Sequence, residues 1–196
     1  MQRILPLQVI AEVCRALLEE GVALRPARLI LGALAEAGAK EQHPALLADY
    51  ARIALSRQIC HRHADAAGRL TTLIVERDAE DAIRAWAKQN NANPPVAMPE
   101  TPLNSFVTAI RHRVATRPVT AGPFVLLASY DVRRLVRAFL VRNEVDVPVF
   151  SYQELAQDIS VQPLGSVGCG APSESSSTRV VVQGNNGAAS ANELRV

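Results

Sequence analysis

The sequence predicts a mixed, α+β chain: an N-terminal three-helix subdomain over residues 1–68, a small α/β subdomain with a short, mostly parallel sheet over 69–167, and a disordered polar tail over 168–196. Three observations carry that reading. Up to His63 the apolar residues recur at three- and four-residue spacing, the period of a helix with one buried face. After Gly68, short runs rich in Val, Ile and Leu alternate with charged helical stretches, and strands joined this way form right-handed parallel crossovers. From Gly168 onward Gly, Ser, Ala and Asn dominate, and too little apolar surface remains to offset the entropy of ordering.

Each element has its own justification. In PLQVIAEVCRALLEEGV, Pro6 suits a first helical turn, Leu7, Ile10, Cys14, Leu17 and Leu18 form a stripe, and Gly21 is the stop. Pro26 opens PARLILGALAEAG, with Leu29, Ile30, Ala33, Leu34 and Ala37 facing inward and Gly38 closing the helix. A longer helix runs from Pro44 to about His63, with Leu46, Leu47, Tyr50, Ile53, Ala54 and Ile59 inward and Arg52, Arg57 and Arg62 toward water. LTTLIV, from Leu70, is an apolar strand, and ERDAEDAIRAWAKQ is the charged helix that follows. NNANPPVAMPETP, Asn90 to Pro102, has four prolines and three asparagines and reads as a loop. Beyond it come a helix in LNSFVTAIRHRVAT, a strand in PFVLLAS, a helix in YDVRRLVRAFLVRN and a strand in VPVFS.

Composition narrows the function classes. A hydrophobic content of 48% with only 4% aromatics builds a core of Leu, Val, Ile and Ala. Twenty-one Lys and Arg against nineteen Asp and Glu give +2, and the cations do not gather into a nucleic-acid footprint. Cys14, Cys60 and Cys169 are odd in number and far apart, which argues against a disulfide framework and for a reducing, cytoplasmic setting. No run approaches the ~18 apolar residues of a membrane span, and Glu12 falls too early for a signal-peptide core.

The candidate chemistry is thin. Cys60, His61 and His63 in ICHRHAD resemble a ligand cluster, yet on a helix only Cys60 and His63 share a face, and His43 and His112 have no motif around them. Cys60 reads better as a small core residue. Ser129, His112 and Asp131 could be imagined as a triad, but no GxSxG elbow surrounds Ser129, and Ser129 or Asp131 reads as the cap of the next helix. Arg133, Arg134, Arg137 and Arg142 spread around their helix near Asp131, Glu144 and Asp146, as a solvated or subunit-facing surface does. Glu76, Asp78, Glu80 and Asp81 alternate with Arg77 and Arg84 and suit a water-facing helix start. No catalytic group, metal or cofactor is called for; a small hydrolase using Ser129 or Cys60, and a nucleic-acid-binding module, are the rival classes.

Three stretches carry a resemblance. LPLQVIAEVCRALLEEGVALRPARLILGALAEAG, HPALLADYARIALSRQICHRHA, and GPFVLLASYDVRRLVRAFL with PVFSYQELAQDISVQPLGSV are together similar to the C-terminal cytoplasmic region of the SctV/FlhA export-gate family of type III secretion systems. The likeness runs from about residue 4 to 167, after which the family pattern ends while the chain continues. It implies a non-enzymatic part in protein secretion at the cytoplasmic face of the bacterial inner membrane. By the same resemblance residues 1–68 would build a nonameric ring with copies of the chain. The assembled ring would receive substrates, chaperones, a gatekeeper and other export-apparatus proteins. Relatives carry a membrane-spanning bundle and two further cytoplasmic subdomains that have no counterpart here. On this reading Arg25, Arg28, Glu36, Arg52, Arg57, Arg133 and Arg137 are the candidate oligomer or partner contacts.

Overall fold

The helical period of the first sixty residues produces α1 (Leu7–Glu19), α2 (Ala27–Ala37), α3 (Pro44–Ala54) and α4 (Ser56–His63), so the long third helix expected from the sequence is two. The computed structural model describes residues 5–90, 101–118 and 122–170. The division falls at Leu55, whose N–H is shared between Ala51 O at 3.0 Å and Arg52 O at 3.1 Å while its side chain stays buried. That tightened geometry is how one helical run ends without the chain leaving the core.

The buried faces are also rotated from those the spacing suggests. Val13 and Leu17 of α1 and Ile30 and Leu34 of α2 are buried, whereas Leu7, Leu18 and Leu29, expected inward, are exposed, Leu7 by 81%. On α3, Leu47, Ala48 and Ala51 are buried, and Tyr50 and Ala54 face water. Helix α3 packs on α1 and α2 along one side and on a one-turn 3-10 helix, Tyr152–Glu154, along another. It is thus enclosed on two sides, and charged side chains are drawn inside with the apolar ones.

The strands are β1 (Arg69–Val75), β2 (Val125–Ala128), β3 (Val149–Ser151) and β4 (Ser160–Val167), all parallel in the order β3-β2-β1-β4. Helices α5 (Arg77–Asn90), α6 (Thr101–Ala115) and α7 (Tyr130–Arg142) are the remaining helices of the described residues. Alternation along the strands divides the apolar residues between two faces. Leu73, Leu126, Ala128 and Val149 pack with α5, α6 and α7 through Ile83, Phe106, Ile110, Val136 and Phe139. Leu70, Val125, Leu127 and Phe150 pack with Val13, Leu17, Leu34, Leu47 and Ile59 of the N-terminal helices. Both faces of the sheet are covered, as a parallel sheet requires.

Strand β4 has no counterpart in the sequence reading. Pro163 and Gly165 interrupt it and much of it is exposed, so it lacks the apolar run that marks a strand. An edge position tolerates proline because one side of its backbone donates to no neighbour. The loop expected over Asn90–Pro102 is shorter at both ends: Asn90 closes α5, and Thr101 and Pro102 open α6, where a missing N–H costs nothing in the first turn. Residues 91–100 lie outside the described residues. So does the tail from 171 on, expected to be disordered; before it, Cys169 N donates to Asp78 Oδ2 at 2.9 Å. Among the described residues no helix is long and apolar enough to cross a membrane.

Candidate functional site

Where the N-terminal helices meet the sheet, four elements each place charged side chains at one buried point. Glu20 stands at the C-terminal cap of α1, Asp49 and Arg52 lie one turn apart on α3, Arg133 and Arg134 open α7, and Glu154 ends the 3-10 turn after β3. Arg133 is 1% exposed and Arg52 is 3% exposed. The Arg133 guanidinium donates to Glu20 at 2.6 and 3.2 Å and to Asp49 Oδ1 at 2.7 Å. Its Nε sits 3.3 Å from Glu154 Oε1, near enough for attraction but without a hydrogen bond. Arg52 grips Glu154 with two parallel bonds of 3.1 and 2.7 Å and reaches Glu20 at 3.1 Å, the bidentate geometry that guanidinium and carboxylate share. Arg134, at the rim, takes the other oxygen of Asp49 at 2.8 Å.

Three carboxylates and three guanidinia therefore balance. Burial pushes Glu20 up, but Arg52 and Arg133 outweigh it and hold its carboxyl below the usual range. For Asp49 burial is the larger effect, and despite Arg133 and Arg134 its carboxyl is held above the usual range, Glu154 adding to the rise. Burial works against the Arg133 cation, yet Glu20 and Glu154 overcome it and fix the charge. The network is a polar weld between the helical part and the α/β part of the fold.

That weld corrects the expected roles of Arg52 and Arg133. Neither faces water or is available to a partner, because both guanidinia are engaged within the chain. Of the other candidate contacts, Arg25, Arg28 and Glu36 are exposed. Arg57 is 76% exposed, with Asp158 at 3.1 Å. Arg137 is mostly covered and donates to Val147 O at 3.2 Å and Asp146 at 2.9 Å.

The residues weighed for chemistry are dispersed. Cys60 is fully buried; its thiol donates to Glu154 O at 3.1 Å, and burial pushes its pKa up. His61 contacts Asp158 at 2.9 Å, while His63 pairs through Nδ1 with Ile59 O at 3.0 Å and meets Phe150 edge-on. Exposed His43 and His112 stand on other helices. Among the described residues no group of three His, Cys, Asp or Glu is placed to hold a metal. Neither Ser129 nor Asp131 caps α7 with its side chain. Ser129 occupies the N-cap of α7 without a side-chain cap bond; its hydroxyl and N–H both donate to Glu80, at 2.8 and 2.6 Å, and Asp131 pairs with Arg84 at 2.9 Å. Glu80, expected to face water, is buried by that bridge, since one carboxylate satisfies both donors of Ser129.

Beside the weld opens a cleft of about 530 Å³ between the α1–α2 turn, α4 and the approach to β3, with Leu55, Ile59, Val149 and Phe150 on its floor.

The comparisons with known proteins agree with this architecture. The model described as the FHIPEP family matches residues 1–160. "Probable translocation protein y4yR" of Sinorhizobium fredii is 41% identical over 166 residues, which is 84% of this chain and 24% of that protein. The structure of the Chlamydia pneumoniae CdsV and CdsO protein complex matches with a TM-score of 0.71 and 30% identity, covering 83% of this chain and 48% of that one. Nonameric EPEC SctV-C matches with a TM-score of 0.66 and 28% identity, over 83% and 49%. The chain spans about a quarter of that curated relative and about half of each solved chain.

Proposed function

The chain belongs to the FHIPEP family, and from that premise we propose that it is a non-enzymatic, ring-forming part of a type III secretion export gate, working in protein secretion at the cytoplasmic face of the bacterial inner membrane. The observation that carries this is its likeness to nonameric EPEC SctV-C. Ring closure requires heterologous surfaces, one patch of a subunit meeting a different patch of the next. The first two helices offer such a patch. Leu7, Leu18, Leu29 and Leu31 are exposed on α1 and α2, and Arg28 and Glu36 stand on α2 beside the last two. Residues 1–68 serve as the ring-building subdomain and 69–167 as the α/β subdomain that it carries, and chaperone–substrate complexes and the gatekeeper dock on the assembled ring. A stiff junction suits this work, because a load taken by one part must reach the other without the hinge giving way.

The test is sedimentation velocity over a range of concentrations. The purified chain self-associates, and Arg28→Glu, which reverses an exposed charge without touching the core, weakens that association. Monomer behaviour that does not change with concentration overturns the proposal.

A further inference from the structure

The cleft beside the buried weld gathers charged side chains around its apolar floor. Four arginines line it, Arg25, Arg52, Arg62 and Arg137, against three acids, Glu19, Glu20 and Asp146. Arg52 and Glu20 are neutralised in the weld, and Arg137 and Asp146 pair with each other. What faces an entering group is Arg25 and Arg62, with Glu19 on the α1 side, over the apolar floor. Arg62 lies across the mouth, donating through Nη1 to Gly21 O of the α1–α2 turn, a single carbonyl bond that an incoming carboxylate readily replaces, since a charged acceptor binds guanidinium more strongly. Gly21 holds φ +70, the left-handed conformation that turns its carbonyl region toward Arg62 without strain.

We propose that this cleft receives an acidic, apolar-flanked peptide segment of a visiting protein, its carboxylate taken by Arg62 and Arg25 and its apolar neighbour seated on Leu55, Ile59 and Phe150. The proposal rests on the export-gate function above, which supplies a visiting protein. Charge complementarity selects the occupant: the rim is cationic by one charge, enough for a carboxylate, while Glu19 and Asp146 would repel the continuous phosphate row of a nucleic acid. The volume, about 530 Å³, suits a few side chains and not a folded domain.

The experiment is fluorescence anisotropy with the whole chain and a fluorescein-labelled peptide of alternating aspartate and leucine, beside its asparagine-for-aspartate counterpart. The acidic peptide binds at least about tenfold more tightly than the neutral one, and Arg62→Glu or Arg25→Glu removes at least about tenfold of that affinity. Arg25→Glu is the safer variant, because Arg25 is exposed on the loop between α1 and α2. Equal binding of the two peptides, or binding that neither substitution alters, overturns the proposal. A fall in bound probe as rising chain concentration drives self-association also overturns it, by assigning the cleft to a second copy. Sedimentation of the same samples keeps the two ideas apart: a monomer that binds the acidic peptide refutes ring formation alone, and a ring that ignores it refutes the cleft alone.

Discussion

Arg133→Met removes the one cation that all three acids share while keeping an unbranched apolar stem. Glu20, Asp49 and Glu154 are then left to Arg52 and the rim residue Arg134. The lost contacts include bonds of 2.6 and 2.7 Å, the length of charge-assisted bonds, at a point where Arg133 is 1% exposed. Removing one partner of a buried ion pair costs about 3–5 kcal/mol, because the other charge stays buried and unpaired. We therefore expect a loss of about 4 kcal/mol at neutral to alkaline pH, read as a lower urea midpoint at unchanged m-value.

The loss carries a sign with pH that an apolar cavity would not. Asp49 already has its folded-state pKa above the unfolded one, so its contribution to stability is present below the unfolded pKa and is lost as pH rises through the folded pKa. Glu20 is the opposite: it is held low, and its contribution is present above the unfolded pKa and lost as pH falls through the folded one. Without Arg133 both carboxyls move up. Protonating Glu20 then costs the parent stability that it does not cost the variant, so the gap between them narrows as pH falls from neutral through the carboxylate range. A loss under about 1 kcal/mol, the size of a surface pair, or a gap that does not move with pH, would refute the buried weld.

Two further outcomes test the surroundings of the weld. Gly21→Ala forces a Cβ into φ +70 and lowers stability by about 1–2 kcal/mol, measured by the same urea titration; no change would mean the turn is built otherwise. Cys60, fully buried with its thiol pKa raised, is alkylated by iodoacetamide only as fast as the chain unfolds, whereas half-buried Cys14 is modified in the native state. Peptide mass mapping separates the two, and rapid native labelling of Cys60 would contradict its place in the core.

Much of the element order was legible because it rests on local period: the helices of the first sixty residues, the strand at Leu70 and the strand–helix–strand unit around Arg133 stand where their apolar spacing puts them. Faces were less legible. Leu18 and Leu29 fit a stripe but lie outside it, since a stripe is defined by whatever packs against it, and α3 is covered from two directions. Arg52 and Arg133 were misplaced for a related reason. A pattern rule sends arginine to water, and hydrogen-bond partners 84 to 113 residues away make burial acceptable. A signal did exist: LLEEG, ADYAR, YDVRR and SYQEL, the stretches that carry the family likeness, contain Glu20, Asp49, Arg52, Arg133 and Glu154. Read together with Arg134, also in YDVRR, they form a charge-balanced set, whereas separately each resembles a solvated surface.

The strand order has a consequence for how the chain is made. Strand β1 pairs on one side with β2, which emerges soon after, and on the other with β4, where Leu70 meets Val161. Until β4 has left the ribosome, β1 has an open edge, and the core on the α5, α6 and α7 face of the sheet lacks Val167. Contacts so distant along the chain are formed late and slowly, and an open parallel edge invites pairing with a neighbouring chain. A nascent chain stalled before β4 would thus be sticky where the finished one is closed, and the last strand acts as the latch of synthesis.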